Sequence, residues 1–249
     1  MELTQEIMES QKIILAGKSL LAINTISRTT EFSINQVTQN TINFGFKTLP
    51  GNKPNSYGNY VAIWQNSGNT IPWDTEPMKV KPITKASPSG DSFFDELDLD
   101  KYSYILGYSV GAELTATGAQ KVGNICSTAY VPELEDEDPY PPFLPQLKMG
   151  YIGGNSVSVD YKLPAGLKPK SNGAWIGIWE AEQASYTTQP KAANTIMVDK
   201  SNGNAFINGI TIGRGATYTI GLFMSGWAGA GKPQTLTAMA CSITFTNPG

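Results

Sequence analysis

Apolar residues follow two different periods along this chain. Between residues 3 and 26 they recur every seven positions, as in Ile7, Ile14 and Leu21, which places them on one stripe of a helix. From Thr41–Lys47 (TINFGFK) onward, apolar residues instead alternate with polar or small ones in short segments separated by turn residues. Such alternation is typical of half-buried strands. The pattern predicts an all-β fold preceded by an N-terminal helix.

The chain also repeats itself. Gly58–Trp64 reads GNYVAIW and Gly173–Trp179 reads GAWIGIW, 115 positions later. Other residues recur at the same offset: Lys47 and Lys162, Pro54 and Pro169, Cys126 and Cys241. We therefore predict one β module that has been duplicated, giving two sandwiches of the usual size for such domains.

The domain boundaries follow from this repeat and from composition. We predict a helical segment at residues 1–28, a first β-sandwich at 29–131, an acidic proline-rich linker at 132–148 and a second β-sandwich at 149–249. The prolines of the linker stiffen it as a spacer. Its acidic cluster matches no calcium-loop spacing, so we interpret it as solvated.

Two features of the modules are immunoglobulin-like. Tyr104 and Tyr218 each follow a turn by a few residues, as in the tyrosine corner of such domains. The pattern G-x-(W/Y)-(I/V)-(G/A)-I-W resembles a strand of immunoglobulin-like modules such as SKICH domains and the N-terminal sandwich of purple acid phosphatases. The resemblance implies two tandem immunoglobulin-like antiparallel β-sandwiches. It implies no functional residues, because the metal-binding His and Asp set of the phosphatase domain is not present in the sequence.

Composition excludes several classes of function. Charged residues make up 16 % of the chain and its net charge is −3, with no basic patch for nucleic acid. The chain has no histidine, which rules out a Ser-His-Asp triad, a Cys-His dyad and most zinc sites. We expect no catalytic residues, no metal and no cofactor. Cys126 and Cys241 read as buried residues of the last strands, which we expect to lie far apart without a disulfide.

The N-terminal residues do not have the composition of a secretory signal. Glu2 and Glu6 stand where a basic region would be, and Lys12 and Lys18 interrupt the apolar run. No stretch of 18 uninterrupted apolar residues is present in the sequence. We expect a protein that is cytoplasmic when synthesised, with export by a route without a signal peptide left open.

Aromatic residues are the first candidates for a binding site. The central strands carry an aromatic face made of Tyr60, Trp64, Trp175 and Trp179. Two interpretations compete: these side chains belong to the core or to a contact between modules, or they stack on a sugar or a protein partner.

Loop residues private to each module are the second candidates. Trp73 beside Asp74, and Trp227 near Lys232, have no aromatic counterpart in the other module. A tryptophan with a hydrogen-bonding neighbour suits a glycan or a protein hot spot. The alternative is a loop tryptophan folded back over a hydrophobic edge.

Acidic residues provide a third candidate. The segment from Phe93 to Asp100 reads as a strand with Leu97 and Leu99 on one face and acidic residues on the other. Paired carboxylates are what glycoside hydrolysis needs. The alternation favours a solvated face instead, and the second module has neutral residues there. The carboxylates in question are Asp91, Asp95, Glu96, Asp98 and Asp100.

We expect a non-catalytic recognition or assembly protein that binds a protein or glycan partner through the divergent loops of its two sandwiches. The N-terminal helix would dock on the sandwiches or mediate a homo-oligomer. One alternative is a toxin-like, host-directed protein whose helix mediates membrane interaction or oligomerisation. Another is a carbohydrate-active enzyme that uses carboxylates.

Overall fold

The computed structural model describes residues 24–133 and 141–247, and within these ranges the chain forms two antiparallel β-sandwiches in succession. The predicted all-β tandem fold is confirmed. In chain order the elements are β1 (Thr25–Thr29), β2 (Glu31–Val37), β3 (Ile42–Lys47), α1 (Pro54–Tyr57), β4 (Tyr60–Gln65), β5 (Lys79–Pro82), β6 (Ser89–Phe94), β7 (Tyr104–Ser109), β8 (Ile125–Val131), β9 (Gln146–Ile152), β10 (Ser156–Lys162), β11 (Trp175–Trp179), β12 (Ala192–Thr195), β13 (Asn202–Asn208), β14 (Thr217–Phe223) and β15 (Met239–Thr246). No helix in the described ranges has the length and apolarity needed to cross a membrane.

Each sandwich packs a three-stranded sheet against a larger one. In the first, β2-β3-β6 packs on β5-β4-β7-β8; in the second, β9-β10-β13 packs on β1-β15-β14-β11-β12. Apart from β1, the order of equivalent strands is the same in both, as duplication requires. β5 lies at the edge of its sheet, a position that tolerates Pro82.

The repeat extends to the irregularities of the sheets. The β2–β3 pairing skips Asn35 and the β9–β10 pairing skips Gly150, which stands 115 positions later. The β7–β8 and β14–β15 pairings also shift register at equivalent places. Because a bulge re-aims the side chains beyond it, shared bulges give the two sandwiches the same distribution of inward and outward residues.

One apolar core runs through both sandwiches. Val61 and Ile63 of β4, and Ile176 and Ile178 of β11, form the inward faces predicted from the sequence and are fully buried. All four belong to a single connected cluster of buried side chains. The modules therefore share their interior and do not meet as two separately closed domains.

The helical segment predicted for residues 1–28 is wrong at its C-terminal end. Residues 1–23 lie outside the described ranges, whereas Thr25–Thr29 form a strand. This strand pairs antiparallel with β15, from Thr25 opposite Phe245 to Thr29 opposite Cys241. Three of its residues are β-branched, which favours extended backbone. The seven-residue spacing upstream extended the helix prediction too far.

The two sandwiches exchange short segments of chain. β1 leads into the first sandwich but pairs with the last strand of the second. In return, Phe143, just before β9, pairs with Thr128 of β8 through hydrogen bonds of 3.0 and 2.8 Å. The two connections meet where Thr29 Oγ1 donates to the Pro145 carbonyl at 2.7 Å. The end of the predicted linker is thus part of the sheets, and β9 begins at Gln146.

The strand predicted for residues 93–100 ends early, because β6 stops at Phe94. Glu96 adopts a φ of 55°, which interrupts an extended chain. Leu97 and Leu99 are nevertheless buried. Their N–H groups donate to carbonyls of the β2–β3 turn at 3.1 and 3.0 Å. The alternation of leucine and acid therefore belongs to a loop held on the core by two leucines.

The expectation that the two cysteines lie far apart is wrong. The residue after Cys126 and the residue before Cys241 both form hydrogen bonds with the backbone of Thr30. Ser127 Oγ donates to the Thr30 carbonyl at 2.7 Å, and the Thr30 N–H donates to the Ala240 carbonyl at 3.0 Å. Cys126 and Cys241 are both free and buried. Burial raises the pKa of Cys126 to about 12. Burial also raises the pKa of Cys241, and the neighbouring Cys126 thiol adds to that rise.

Tyr104 and Tyr218 close the tyrosine corners that the sequence predicts. Tyr104 Oη accepts the backbone N–H of Asp98 at 3.1 Å, and Tyr218 Oη accepts that of Gly213 at 2.9 Å. Both rings are 2 % exposed. Each corner fixes the turn that leads into the central strand β7 or β14.

Replacing either corner tyrosine by Phe should lower the free energy of unfolding by about 1–3 kcal/mol, because a backbone N–H loses its acceptor. The matched control is Tyr102→Phe, at a side chain that is 42 % exposed, which should stay within about 0.5 kcal/mol of the wild type. Urea denaturation followed by circular dichroism measures all three variants. An equal loss in the control would contradict the corner's role.

The buried thiols should make stability fall at alkaline pH. Between the ordinary thiol pKa of 9.0 and about 12, folded Cys126 keeps a proton that the unfolded chain releases. Its contribution is therefore complete below that window and is lost as pH rises through it. Urea titrations from about pH 8 to about pH 11 measure the free energy of unfolding at each pH. Its fall with rising pH should be shallower in Cys126→Ala than in the wild type, by up to about 1.4 kcal/mol per pH unit. Equal slopes would mean that the thiol titrates normally.

Candidate functional site

The aromatic face predicted from the sequence is buried. Tyr60, Trp64, Trp175 and Trp179 are between 0 and 5 % exposed. Trp64 Nε1 donates to the Thr75 carbonyl at 2.9 Å, and Trp179 Nε1 donates to the Thr188 carbonyl at 2.8 Å. The two indoles thus hold equivalent long loops against their sandwiches. The structure favours the core interpretation, since none of these rings is open to a sugar.

Trp175 organises the corresponding region of the second sandwich. Its ring stacks on Phe223 with centroids 4.0 Å apart and an angle of 6°, and its indole donates to the Ser225 carbonyl at 3.0 Å. Tyr60 occupies the same repeat position in the first sandwich, and burial raises the pKa of its hydroxyl. Trp175 is thereby held beneath the loops of its sandwich, and Tyr60 is buried at the equivalent position of the first.

Trp73 connects the two sandwiches. The side chain is half-buried, and Nε1 donates to the carbonyl of Ala165 in the second sandwich at 2.7 Å. The neighbouring Gly166 has a φ of +80°, and a Cβ there would come within 2.7 Å of the indole nitrogen. Only glycine fits this backbone against the ring. Asp74 is exposed beside this contact. Their ligand-binding role stays a prediction.

Trp227 and Lys232 lie in a different place. Trp227 is half-buried with its ring centroid 6.4 Å from that of Trp175, and Lys232 is exposed. Buried Gln234 fixes the loop between them: its Nε2 donates to the carbonyls of Gly229 and Lys232 at 2.8 and 2.7 Å. Since Trp73 and Trp227 pack on separate apolar clusters, the structure does not bring the predicted pairs together.

Gln120 is an interface residue that the sequence reasoning missed. It is 7 % exposed, its Oε1 accepts the Lys168 N–H at 2.7 Å, and its Nε2 donates to the Gly166 carbonyl at 3.1 Å. Asn172 Oδ1 accepts its backbone N–H at 2.8 Å. One signal was available, because Gln234 stands 114 positions later and is buried as well.

A cleft lies where the two sandwiches and the exchanged segment meet. We call it the inter-module cleft; its volume is about 350 Å³. Its walls are the loop residues 69–71 of the first sandwich, the segment 141–144, the outer residues Thr128 and Tyr130 of β8, and the chain from Lys162 to Ala165. The loop that carries Trp73 is therefore one wall of the cleft, and the indole bond to Ala165 sets its position.

The cleft combines apolar and polar side chains. Ile71 and Tyr130 are buried at 4 and 8 % exposure, and Phe143 is half-buried. Lys162 Nζ lies 5.9 Å from the centre of the Phe143 ring, and Gln146 and Asn69 add amide groups. An apolar surface with a few polar groups is typical of ligand sites.

The acidic candidates lie on a solvated edge of the first sandwich. Three of them form ion pairs with lysines. The distances from the lysine Nζ to the nearest carboxylate oxygen are 3.8 Å for Lys85 and Asp91, 3.5 Å for Lys79 and Glu96, and 3.0 Å for Lys101 and Asp98. Asp95 and Asp100 are exposed. Across residues 24–133 and 141–247, no group of three or more His, Cys, Asp and Glu side chains is arranged to hold a metal ion.

The chain matches no protein-family model and no curated protein.

Gln120→Ala should lower the free energy of unfolding by about 1–3 kcal/mol, because it removes two part-buried hydrogen bonds to the backbone of the second sandwich. Gln65→Ala, at an exposed position of β4, is the control and should stay within about 0.5 kcal/mol of the wild type. Chemical denaturation compares the two. If Gln120→Ala were as stable as the control, the contact would not join the modules.

Proposed function

We propose that the protein is a non-catalytic recognition protein that binds a protein or glycan partner in the inter-module cleft. The observation that carries the proposal is the cleft itself. It has a volume of about 350 Å³ and draws its walls from both sandwiches and from the exchanged segment. That volume falls within the range of small-ligand sites, and it also suits a short stretch of a longer chain.

The rigid construction of the cleft supports this proposal. Trp73, Gln120 and the contact of Thr29 with Pro145 hold its walls through hydrogen bonds between 2.7 and 3.1 Å. A partner would meet walls that are already ordered. Binding then costs less conformational entropy than it would on mobile loops.

The chemistry around the cleft also favours binding over catalysis. Among the described residues, its polar side chains are two amides, two threonine hydroxyls, a tyrosine hydroxyl and one lysine. The carboxylates considered for hydrolysis lie elsewhere, along β6 and the loop that follows it, where three of them have lysine partners. General acid–base catalysis needs a proton donor and acceptor at the same bond.

A bulky side chain at the mouth of the cleft tests the proposal. Thr70 is exposed and lines the cleft, so Thr70→Trp should block it without disturbing the core. Thr115→Trp, in an exposed loop away from the cleft, is the matched control. We would apply the labelled full chain to arrays of immobilised glycans and peptides and measure affinity for the strongest binders.

We expect Thr70→Trp to weaken binding at least about tenfold, because a buried contact surface is lost, and Thr115→Trp to leave it unchanged. Mass spectrometry of the bound oligosaccharide or peptide should show no turnover. Equal affinity of the two variants would contradict the cleft as the site, and a processed product would contradict the non-catalytic role.

A further inference from the structure

Two exposed aromatic rings lie on the outer face of the β9-β10-β13 sheet, the face turned away from the core. Tyr151 and Phe206 both pair with Ser158, from opposite sides. Neighbouring strands are about 4.8 Å apart, so the two side chains leave the sheet roughly 10 Å from each other. Tyr151 is 63 % exposed and Phe206 is 45 % exposed. The rings therefore flank a shallow trough above the small Ser158.

Hydrogen-bonding groups continue this trough along the strands. In the next row, Asp160 pairs with Lys148 on one side and Asn204 on the other. Asn204 Nδ2 donates to the Asp160 carboxylate at 3.2 Å. A depression of about 460 Å³ lies over this row and the following one, which contains Gln146 and Lys162. Its lining offers amide, ammonium and carboxylate groups within one surface.

The first sandwich provides an internal comparison. Phe93 stands at the position of Phe206 and is exposed to the same extent, 44 %. Lys81, however, lies over its ring, with Nζ 4.2 Å from the centroid. In the second sandwich the equivalent residue is Asn194, whose amide donates to the Phe206 carbonyl at 3.0 Å. The Phe206 ring thus lacks the lysine that covers its counterpart, and Tyr151 faces it across the sheet where the first sandwich has Gln36.

The polar positions on the outer faces of the two sandwiches also differ, and again the second sandwich lacks a charged partner. In the first sandwich Glu31 binds Lys47 at 3.2 Å. At the equivalent positions the second sandwich has Gln146 and Lys162, so the ammonium group lacks that carboxylate. The same face occurs twice, and of the two copies the second one carries an exposed ring on either side of its central strand, with no lysine over Phe206. An exposed apolar surface rimmed by polar groups marks an interaction site.

We infer that this outer face binds a neutral oligosaccharide chain, an inference that rests on the proposed function. The C–H faces of sugar rings stack on aromatic side chains, while their hydroxyls both donate and accept hydrogen bonds, which suits mixed amide, ammonium and carboxylate groups. Lys148, Lys162 and Asp160 make the lining mixed in charge, which suits a neutral chain better than a run of phosphates or acidic side chains.

The outer face is continuous with the inter-module cleft. Gln146 and Lys162 line both the depression and the cleft. A glycan chain can therefore extend from the cleft along β10 to the trough between Tyr151 and Phe206. The cleft holds one part of the chain and the two rings hold sugar units farther along it.

The test uses the full chain and an array of neutral linear oligosaccharides, followed by calorimetric titration of the strongest binder. Tyr151→Ala and Phe206→Ala should each raise Kd about tenfold or more, by analogy with the loss of an aromatic stacking contact. Phe93→Ala removes an equally exposed ring from the first sandwich and should leave Kd within about twofold. Because all three side chains are exposed, denaturation midpoints should be unchanged and folding is not a confounding factor.

The outcomes separate this inference from the proposed function. If Thr70→Trp weakens binding but neither aromatic variant does, the outer face is not a binding site and the assignment of the cleft stands. If both aromatic variants weaken binding and Thr70→Trp does not, the outer face remains and the cleft assignment fails. If Phe93→Ala weakens binding as much as Phe206→Ala, or if the array contains no neutral binder, the inference is overturned.

Discussion

The crossing of two connections at Thr29 and Pro145 determines how the rest of the molecule is arranged. Each sandwich is completed by chain that leads into the other one: β1 pairs with β15, and Phe143 pairs with β8. Tandem domains joined by a spacer are expected to move relative to one another. Here the reciprocal pairing brings the last strands of both sandwiches to Thr30 and makes their interiors continuous.

Features that depend on local pattern could be predicted from the sequence. The inward faces of β4 and β11 follow from alternation, and the two tyrosine corners follow from tyrosines placed five and six residues after the N–H groups they accept. Contacts that depend on docking could not. Trp73 donates to a carbonyl 92 positions away, and Thr29 donates to one 116 positions away. No periodicity within one strand encodes such a partner, and for Thr25–Thr29 the sequence does not show which strand the segment pairs with.

Duplication gave the two sandwiches the same positions, and substitution gave those positions different partners. Gln120 crosses to the second sandwich, whereas Gln234 remains within its own and bonds to Gln189. Ion pairing on the outer face of the first sandwich involves Glu31 and Lys47, and Gln146 removes that pairing in the second. The repeat therefore serves as a reference: where the fold is shared, a difference in polar partners cannot be required by the fold.

The location of the cleft would couple the proposed recognition to the joining of the modules. Its walls are brought together by the exchanged segments, so a partner bound there would bind only the joined state and would stabilise it by mass action. The joined state would in turn favour binding. Walls that Trp73 and Gln120 already hold in place need little further ordering when a partner arrives. On the proposed function, residues outside the cleft such as Thr29 and Gln120 would contribute to affinity by favouring the state that has a cleft.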